Sequence, residues 1–242
     1  MSSAAFSKAQ PTLVVVAAED LFSREADWLQ QIALVAQAAL RYPVGSVAIQ
    51  LRPRSVASIA DASSLPRTSP QESAAPGRVD CADRIRHIFT RIDPHGLLPV
   101  YVSERARWLH TTATWRWHVP EAQLQMPQTV RDQAWSAAVH GAESAQRAQE
   151  LGAHLLLFAP VFAPSWKPAR PVGVQGLAAV TRACQVAVLA LGGMTPARVV
   201  GCLEAGAAGV AVASGIMLAE DVEAMMRQYA KALGLSEVVR RD

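Results

Sequence analysis

The sequence predicts one α/β domain, a single (β/α)8 TIM barrel, because eight apolar segments alternate with helical patterns over a suitable length. The apolar segments lack a polar face, as expected of parallel strands that are covered on both sides. They cover residues 12–18, 46–51, 97–102, 115–119, 135–139, 154–158, 186–191 and 209–213. Amphipathic patterns separate them, most clearly at 26–41, 141–152 and 195–206. A chain of 242 residues is long enough for such a barrel, and eight regular units favour it over an open doubly wound sheet.

Three parts of this domain, which spans residues 1–242, lack such patterns. Residues 1–11 are expected to be a flexible N-terminus, and residues 235–242 a C-terminal tail. Residues 53–80 are rich in Ser, Ala and Pro, which predicts a long and partly disordered loop rather than a domain boundary.

The composition excludes several classes of protein. Only 18% of the residues are charged and the formal net charge is +3, without the basic clusters typical of nucleic-acid binding. The three cysteines show no CxxC spacing, which is typical of free thiols in a reducing compartment. No apolar segment reaches the roughly 18 residues of a membrane span, and no signal peptide is evident. We therefore expect a cytoplasmic protein with no nucleic-acid or membrane partner, and we leave a homodimer open.

Two glycine-containing corners follow the last two predicted strands. The segment "LALGGMTP" contains Gly192 and Gly193, and "VAVASGIM" contains Ala213, Ser214 and Gly215. In a (β/α)8 barrel the loops after strands seven and eight commonly bind phosphate, and N–H groups at the start of a helix favour anions. The alternative is a pair of turns that only glycine fits. The position of both corners favours a phosphate site.

His140 is the predicted catalytic residue. It ends the fifth predicted strand in "AAVHGAES", so its ring should face the mouth of the barrel. Histidine ordinarily titrates near neutrality, and can therefore take up and return a proton. The alternative is a structural histidine that caps the following helix. His118, within the fourth strand, is assigned to the core at least as readily as to catalysis, and His154 is expected to be structural.

Further substrate contacts are expected around the same mouth. "QLRPR" places Gln50, Arg52 and Arg54 at the end of the second strand, where arginine suits a carboxylate or a second phosphate. Lys167 lies in the proline-rich loop after the sixth strand. For Arg54 and Lys167 a solvated surface role is an equal alternative. Carboxylates at the mouth are few and no spacing defines a metal site, so no metal ligands are predicted.

Residues 46–217 resemble the thiamine-phosphate synthase and thiazole tautomerase family. The resemblance is carried by "VHGAESAQRAQELGAHLLLFAPVF", "LALGGMTPARV" and "AGAAGVAVASGI", in that order. "VAIQLRPR" is similar to the family's second-strand motif, Gln-Leu-Arg-x-Lys. The resemblance implies a barrel that binds a small-molecule thiazole phosphate, with Mg²⁺ as cofactor only if the chain is a synthase.

Departures from the family pattern favour the tautomerase arm. Synthases join a pyrimidine diphosphate to a thiazole phosphate with Mg²⁺. Their Asn-Asp-Arg, Gly-Gln-Glu-Asp and Thr-x-Thr-Lys motifs correspond here to residues 103–105, 120–123 and 164–167. These replacements remove a metal-binding aspartate and two threonines that contact the diphosphate, whose charge needs such groups. Ser103 stays a candidate substrate contact.

The resemblance therefore implies a thiazole tautomerase, an isomerase that moves a proton to aromatise a carboxythiazole phosphate without a cofactor. His140 would carry the proton, and Arg52 would bind the substrate carboxylate. Two alternatives stay open. One is a divergent, Mg²⁺-dependent thiamine-phosphate synthase, and the other is an inactive barrel that only binds a thiamine precursor.

Overall fold

Eight parallel strands pair in chain order and close into a barrel, because the first strand pairs with both the second and the eighth. The computed structural model describes residues 10–54, 76–109, 112, 114–124, 134–166 and 168–238. The strands are β1 Leu13–Ala18, β2 Val47–Arg52, β3 Val100–Ser103, β4 Trp115–Val119, β5 Ser136–Val139, β6 Leu155–Phe158, β7 Ala187–Leu191 and β8 Gly209–Val212. Each lies within or overlaps its predicted segment. The predicted (β/α)8 TIM barrel is confirmed.

The helices surround the barrel less regularly than predicted. They are α1 Glu25–Ala39, α2 Pro76–Ile92, α3 Ala142–Glu150, α4 Gly173–Ala183, α5 Val199–Glu204, α6 Ser214–Met217 and α7 Val222–Ala232. After β3 and β4, where a (β/α)8 barrel ordinarily has a helix, the described residues form the short 3-10 segments Glu104–Leu109 and Glu121–Gln123. Within the described residues no helix is both long and apolar enough to cross a membrane.

The predicted loop over 53–80 is wrong at its C-terminal end. Helix α2 begins at Pro76, so residues 76–80 are helical. Proline suits the first turn of a helix, where its missing N–H costs no hydrogen bond. Residues 55–75 lie outside the described residues, as do 1–9 and 239–242, so the expectations about them stay predictions. The described part of the C-terminal tail is hydrogen bonded to the rest of the fold, since the Val238 N–H donates to the Arg41 carbonyl at 2.7 Å.

Alternate residues of each strand face two different apolar layers. One layer fills the barrel and includes Val16, Leu157 and Leu189, and the other lies between the strands and the helices. Because both faces are covered, the strands carry little polar patterning. Polar side chains in the barrel, including Gln50 and His118, are therefore buried with the apolar ones.

Candidate functional site

A cavity of about 250 Å³ opens at the carboxyl ends of the strands. The end of β2 and the loops after β5, β6, β7 and β8 contribute to its wall. Seven of the residues predicted from the sequence line it: Arg52, His140, Gly192, Gly193, Ala213, Ser214 and Gly215. Apolar side chains such as Val16, Leu191 and Met194 form much of the remaining surface. The two corners, the histidine and one arginine therefore share a single cavity.

The corner after β7 requires glycine for steric reasons. Gly192 and Gly193 have φ values of +102° and +56°, in the region that side chains disfavour. A Cβ on Gly192 would lie 2.8 Å from the Pro160 Cα, and one on Gly193 would lie 2.5 Å from the Ala163 carbonyl oxygen. Close packing against the loop after β6 thus explains both glycines without any ligand, and phosphate binding stays a prediction.

The carbonyl groups of this corner are all hydrogen bonded within the protein. The Leu191 and Gly192 carbonyls accept from N–H groups of the loop after β6, at 2.8 and 3.1 Å. Arg198 donates to the Gly193 carbonyl, and the Tyr229 hydroxyl donates to the Met194 carbonyl at 2.8 Å. In a trans peptide the N–H points away from the preceding carbonyl. The N–H groups of Gly193 and Met194 therefore point away from these partners, and both residues line the cavity.

Tyr229 contacts both the corner after β8 and the corner after β7. A Cβ on Gly215 would lie 2.7 Å from the Tyr229 hydroxyl oxygen, so glycine here allows that hydroxyl to reach Met194. Burial raises the pKa of Tyr229 to about 12, which keeps the hydroxyl protonated as a donor. Ser214 begins α6, and the first N–H groups of a helix have no partner within it. Both corners therefore present backbone donors near one cavity.

His140 has a defined orientation although its side chain is 59% exposed. Its Nδ1 lies 2.6 Å from the Ala159 carbonyl oxygen. A carbonyl only accepts, so Nδ1 carries the proton and donates. The predicted alternative, a ring that caps α3, does not match this geometry. The Ser144 hydroxyl instead accepts from the backbone N–H groups of His140 and Gly141 at the start of that helix.

Arg52 is held on two sides at the cavity wall. Its guanidinium lies over the Trp166 ring, 5.5 Å from the centroid, and 3.8 Å from an Asp20 carboxylate oxygen. Burial lowers the pKa of Arg52, and Asp20 opposes this effect. Trp166 was not among the predicted contacts, since Lys167 was the residue singled out in the proline-rich loop that contains it. Aromatic residues in such a loop are the signal that could have identified it.

The remaining predicted contacts are not brought to the cavity. Of the described residues that line it, none is Gln50, Arg54 or Ser103. Gln50 and Ser103 are buried in the barrel, because strand alternation turns them inward below the mouth. Arg54 lies beyond the end of β2 and donates to backbone carbonyls of Glu19 and Phe22. Lys167 lies outside the described residues.

Two further histidines are part of the barrel interior. The His118 Nδ1 lies 2.9 Å from the Ser136 hydroxyl, and burial, aided by the charge of Arg52, lowers the pKa of His118 to about 3. The His154 Nε2 lies 3.0 Å from the Tyr101 hydroxyl, and burial lowers the pKa of His154 to about 4. Both rings are therefore neutral near pH 7 and have structural partners.

The described residues do not assemble a metal site. Among them no three His, Cys, Asp or Glu side chains gather closely enough to hold an ion. Gln123 stands where the family pattern has an aspartate. Mg²⁺ prefers carboxylate oxygens in a near-octahedral arrangement, and this donor set does not fit it.

Comparison with known proteins identifies the family of this chain. The family model described as thiamine monophosphate synthase matches residues 21–216. The chain belongs to the thiamine monophosphate synthase family. A thiamine-phosphate synthase from Chloroflexus aurantiacus is 33% identical over 102 residues, which are 41% of this chain and 47% of that protein. One from Moorella thermoacetica is 35% identical over 101 residues, or 41% and 45% of the two chains. The chain thus spans less than half the length of these curated relatives.

Solved structures agree on the architecture of the thiamine monophosphate synthase family. A thiamine phosphate pyrophosphorylase from Pyrococcus furiosus matches with a TM-score of 0.62 at 19% identity, over 93% of this chain and 96% of that one. A 3-hexulose-6-phosphate synthase matches with a TM-score of 0.58 at 16% identity, over 92% and 99%. At such identities the likeness shows the fold alone.

The preference for a thiazole tautomerase is wrong. The matching family model and the curated relatives carry synthase names, and none of these matches names a tautomerase. The preference was based on replacements in residues 103–105, 120–123 and 164–167, all on the side expected to hold the diphosphate. The missing donors bear on how a diphosphate would be bound, but they are not evidence for an isomerase. His140 does not distinguish a tautomerase from a synthase either, since some synthases also carry a histidine at this position.

Proposed function

We propose that this protein is a transferase of thiamine biosynthesis, a divergent thiamine-phosphate synthase. It would join a thiazole phosphate to a pyrimidine diphosphate, with the diphosphate as the leaving group. Membership of the family over residues 21–216 supports this proposal, as do the names of the relatives. The observation that carries it in the structure is the shared cavity, where two donor-bearing corners meet an arginine and a histidine.

The thiazole phosphate is assigned to the corners after β7 and β8. The N–H groups of Gly193 and Met194 point away from the donors that bind the carbonyls of the same peptide groups, the Phe162 N–H and the Arg198 guanidinium. A phosphate oxygen is the acceptor that suits such donors. Ser214 and Gly215 line the same region from the start of α6. The apolar wall of the cavity suits a small ring attached to that phosphate.

The diphosphate is assigned to the part of the cavity wall where Arg52 lies, at the end of β2. A guanidinium can bind two phosphate oxygens at once, and Trp166 and Asp20 restrict its position. The family's reaction uses Mg²⁺, but the described residues do not fit that ion. We therefore assign no step to a metal, and Arg52 is the described cation that would meet the charge of the diphosphate.

The test is direct coupling of the two precursors by the purified protein, with added Mg²⁺ in one series and with a chelator in the other. Thiamine phosphate is measured by mass spectrometry. The expected result is product that depends on time and on enzyme concentration, and that falls strongly in R52Q. R84Q serves as a matched control, because Arg84 forms an ion pair with Glu25 on the outer helices. Tight binding of the thiazole phosphate without any product would instead identify a barrel that only binds the precursor.

A further inference from the structure

Arg198 contacts the corner after β7 from outside the cavity. It ends the 3-10 turn Pro196–Arg198, and its guanidinium donates to the Gly193 carbonyl, five residues earlier in the chain. The N–H of the same peptide group belongs to Met194. In a trans peptide that N–H points away from the carbonyl, and Met194 lines the cavity, whereas Arg198 is not among the described residues that do. One peptide group therefore separates the guanidinium from the cavity.

The Phe162 ring restricts the position of this guanidinium. The guanidinium carbon lies 4.6 Å from the ring centroid, and such a contact adds a cation–π attraction. Phe162 itself packs against the core, and its N–H donates to the Gly192 carbonyl at 3.1 Å. Arg198 is an exposed residue, but its charged group is thus held by a ring and directed at one carbonyl.

The charge of Arg198 is not cancelled at this corner. Other arginines on the surface, such as Arg41 and Arg84, form ion pairs with glutamates. Within the part of the chain that the structure describes, the guanidinium of Arg198 contacts a backbone carbonyl and an aromatic ring but no carboxylate. An anion bound at the corner is therefore the group that would benefit from this charge.

A charged donor on a carbonyl also changes the other end of the same peptide group. Hydrogen bonds from an ionised donor are stronger than neutral ones, and hydrogen bonds in a chain polarise one another. Electron density that is drawn towards the Gly193 carbonyl oxygen leaves the Met194 N–H more positive, and hence a better donor. The Gly192 carbonyl has only the neutral Phe162 N–H as its donor, so the Gly193 N–H gains less.

We infer that Arg198 is a positioning residue for the phosphate. It holds the peptide group between Gly193 and Met194 in place, and through that peptide group its charge strengthens the Met194 N–H as a donor to a bound phosphate dianion. The inference rests on the phosphate site of the proposed function, but it does not depend on the coupling reaction. A neutral side chain at position 198 would leave a site that binds the same anion less tightly.

Calorimetry with inorganic phosphate at pH 8 tests the effect on affinity. R198Q keeps an N–H donor but removes the charge, and should weaken phosphate binding about threefold. R198K keeps both a donor and the charge, and should restore most of the affinity. The matched control is R182Q, which removes the charge of an exposed arginine in the last turn of α4 and should bind like the wild type. Equal affinity in R198Q and the wild type, or equal losses in R198Q and R198K, would contradict a role for the charge.

Nuclear magnetic resonance of nitrogen-15-labelled methionine amides tests the route through the peptide group, which a purely structural role would not affect. The Met194 signal is assigned by its absence in M194L. At saturating phosphate the Met194 amide proton should move downfield, and it should move less in R198Q than in the wild type or R182Q. Saturation removes the difference in affinity from this comparison. Equal movement in R198Q and the wild type would overturn the inference.

These outcomes are distinguishable from failure of the proposed function. If phosphate binding follows the expected pattern but the protein forms no thiamine phosphate, the coupling reaction is rejected and the role of Arg198 stands. If the wild type does not bind phosphate, the role of Arg198 is rejected, and the coupling assay decides separately on the proposed function.

Discussion

Burial of a neutral His118 should make this protein less stable as the pH falls. The ring is buried inside the barrel against Ser136, and its pKa is lowered from 6.5 to about 3. The folded state therefore keeps the ring neutral, while the unfolded chain takes up a proton below pH 6.5. The resulting loss of stability is absent above pH 6.5 and grows as the pH falls towards 3. At about 1.4 kcal/mol per pKa unit, the full loss of stability is about 5 kcal/mol.

The variant H118N isolates this effect, since asparagine can keep a hydrogen bond to Ser136 but does not titrate. Between pH 7.5 and pH 4.5 the wild type should lose about 2.7 kcal/mol of unfolding free energy through His118. His154, whose pKa is lowered to about 4, adds a loss of the same sign in both proteins. It therefore cancels when the two are compared.

The assay is urea unfolding followed by far-ultraviolet circular dichroism, at pH 7.5, 6.5, 5.5 and 4.5. The stability advantage of the wild type over H118N should shrink by about 2.7 kcal/mol across this range. H87N, which changes an exposed histidine on α2, should keep the wild-type pH dependence. A constant difference between the wild type and H118N from pH 7.5 to pH 4.5 would refute the argument that His118 is buried and neutral.

Three other substitutions test the construction of the site. G193A should destabilise the protein by about 2 kcal/mol or more, because the added Cβ meets a carbonyl oxygen at 2.5 Å, whereas G201A on α5 has free space and should be neutral or stabilising in thermal unfolding. Y229F leaves the Met194 carbonyl of the β7 corner without its donor and should cost about 1–3 kcal/mol in urea unfolding; equal stability of Y229F and the wild type would contradict a stabilising role for this hydrogen bond. W166L removes the ring under Arg52 and should weaken pyrophosphate binding about threefold in calorimetry, while W166F should not; equal weakening in both would contradict a role for stacking.

The barrel was predictable because one physical constraint governs the whole chain. Parallel strands covered on both faces favour apolar side chains at most positions, so eight apolar segments such as 12–18 and 209–213 stand out from their surroundings. The same closure determines where the strand ends meet, so Gly193, Ser214 and His140 could be placed together without any contact information. Helix boundaries were less predictable, and Pro76 begins a helix inside a segment whose composition indicated a loop.

Contacts that depend on the direction of a single side chain were not predictable. Arg52 and Arg54 stand two residues apart, and both were predicted as substrate contacts, with a solvated surface role as an equal alternative for Arg54. The first remains on the strand and faces Trp166, whereas the second lies past its end and holds the turn after β1. Likewise, nothing in the sequence indicates that the Glu121 Oε2 atom lies 3.8 Å from the His140 Nε2 atom. Such pairs arise from packing between distant segments, which periodicity does not report.

Two interpretations of the corner after β7, a turn that requires glycine and a phosphate site, do not exclude each other. Gly192 and Gly193 are required by the loop that packs on them, so their presence says nothing about a ligand. The evidence for an anion lies instead in the direction of the peptide groups. Four successive carbonyls, from Leu191 to Met194, accept hydrogen bonds from the protein. Because these acceptors are satisfied elsewhere, the corner has donors rather than acceptors left for a ligand, and a wall with only donors to offer favours an anion.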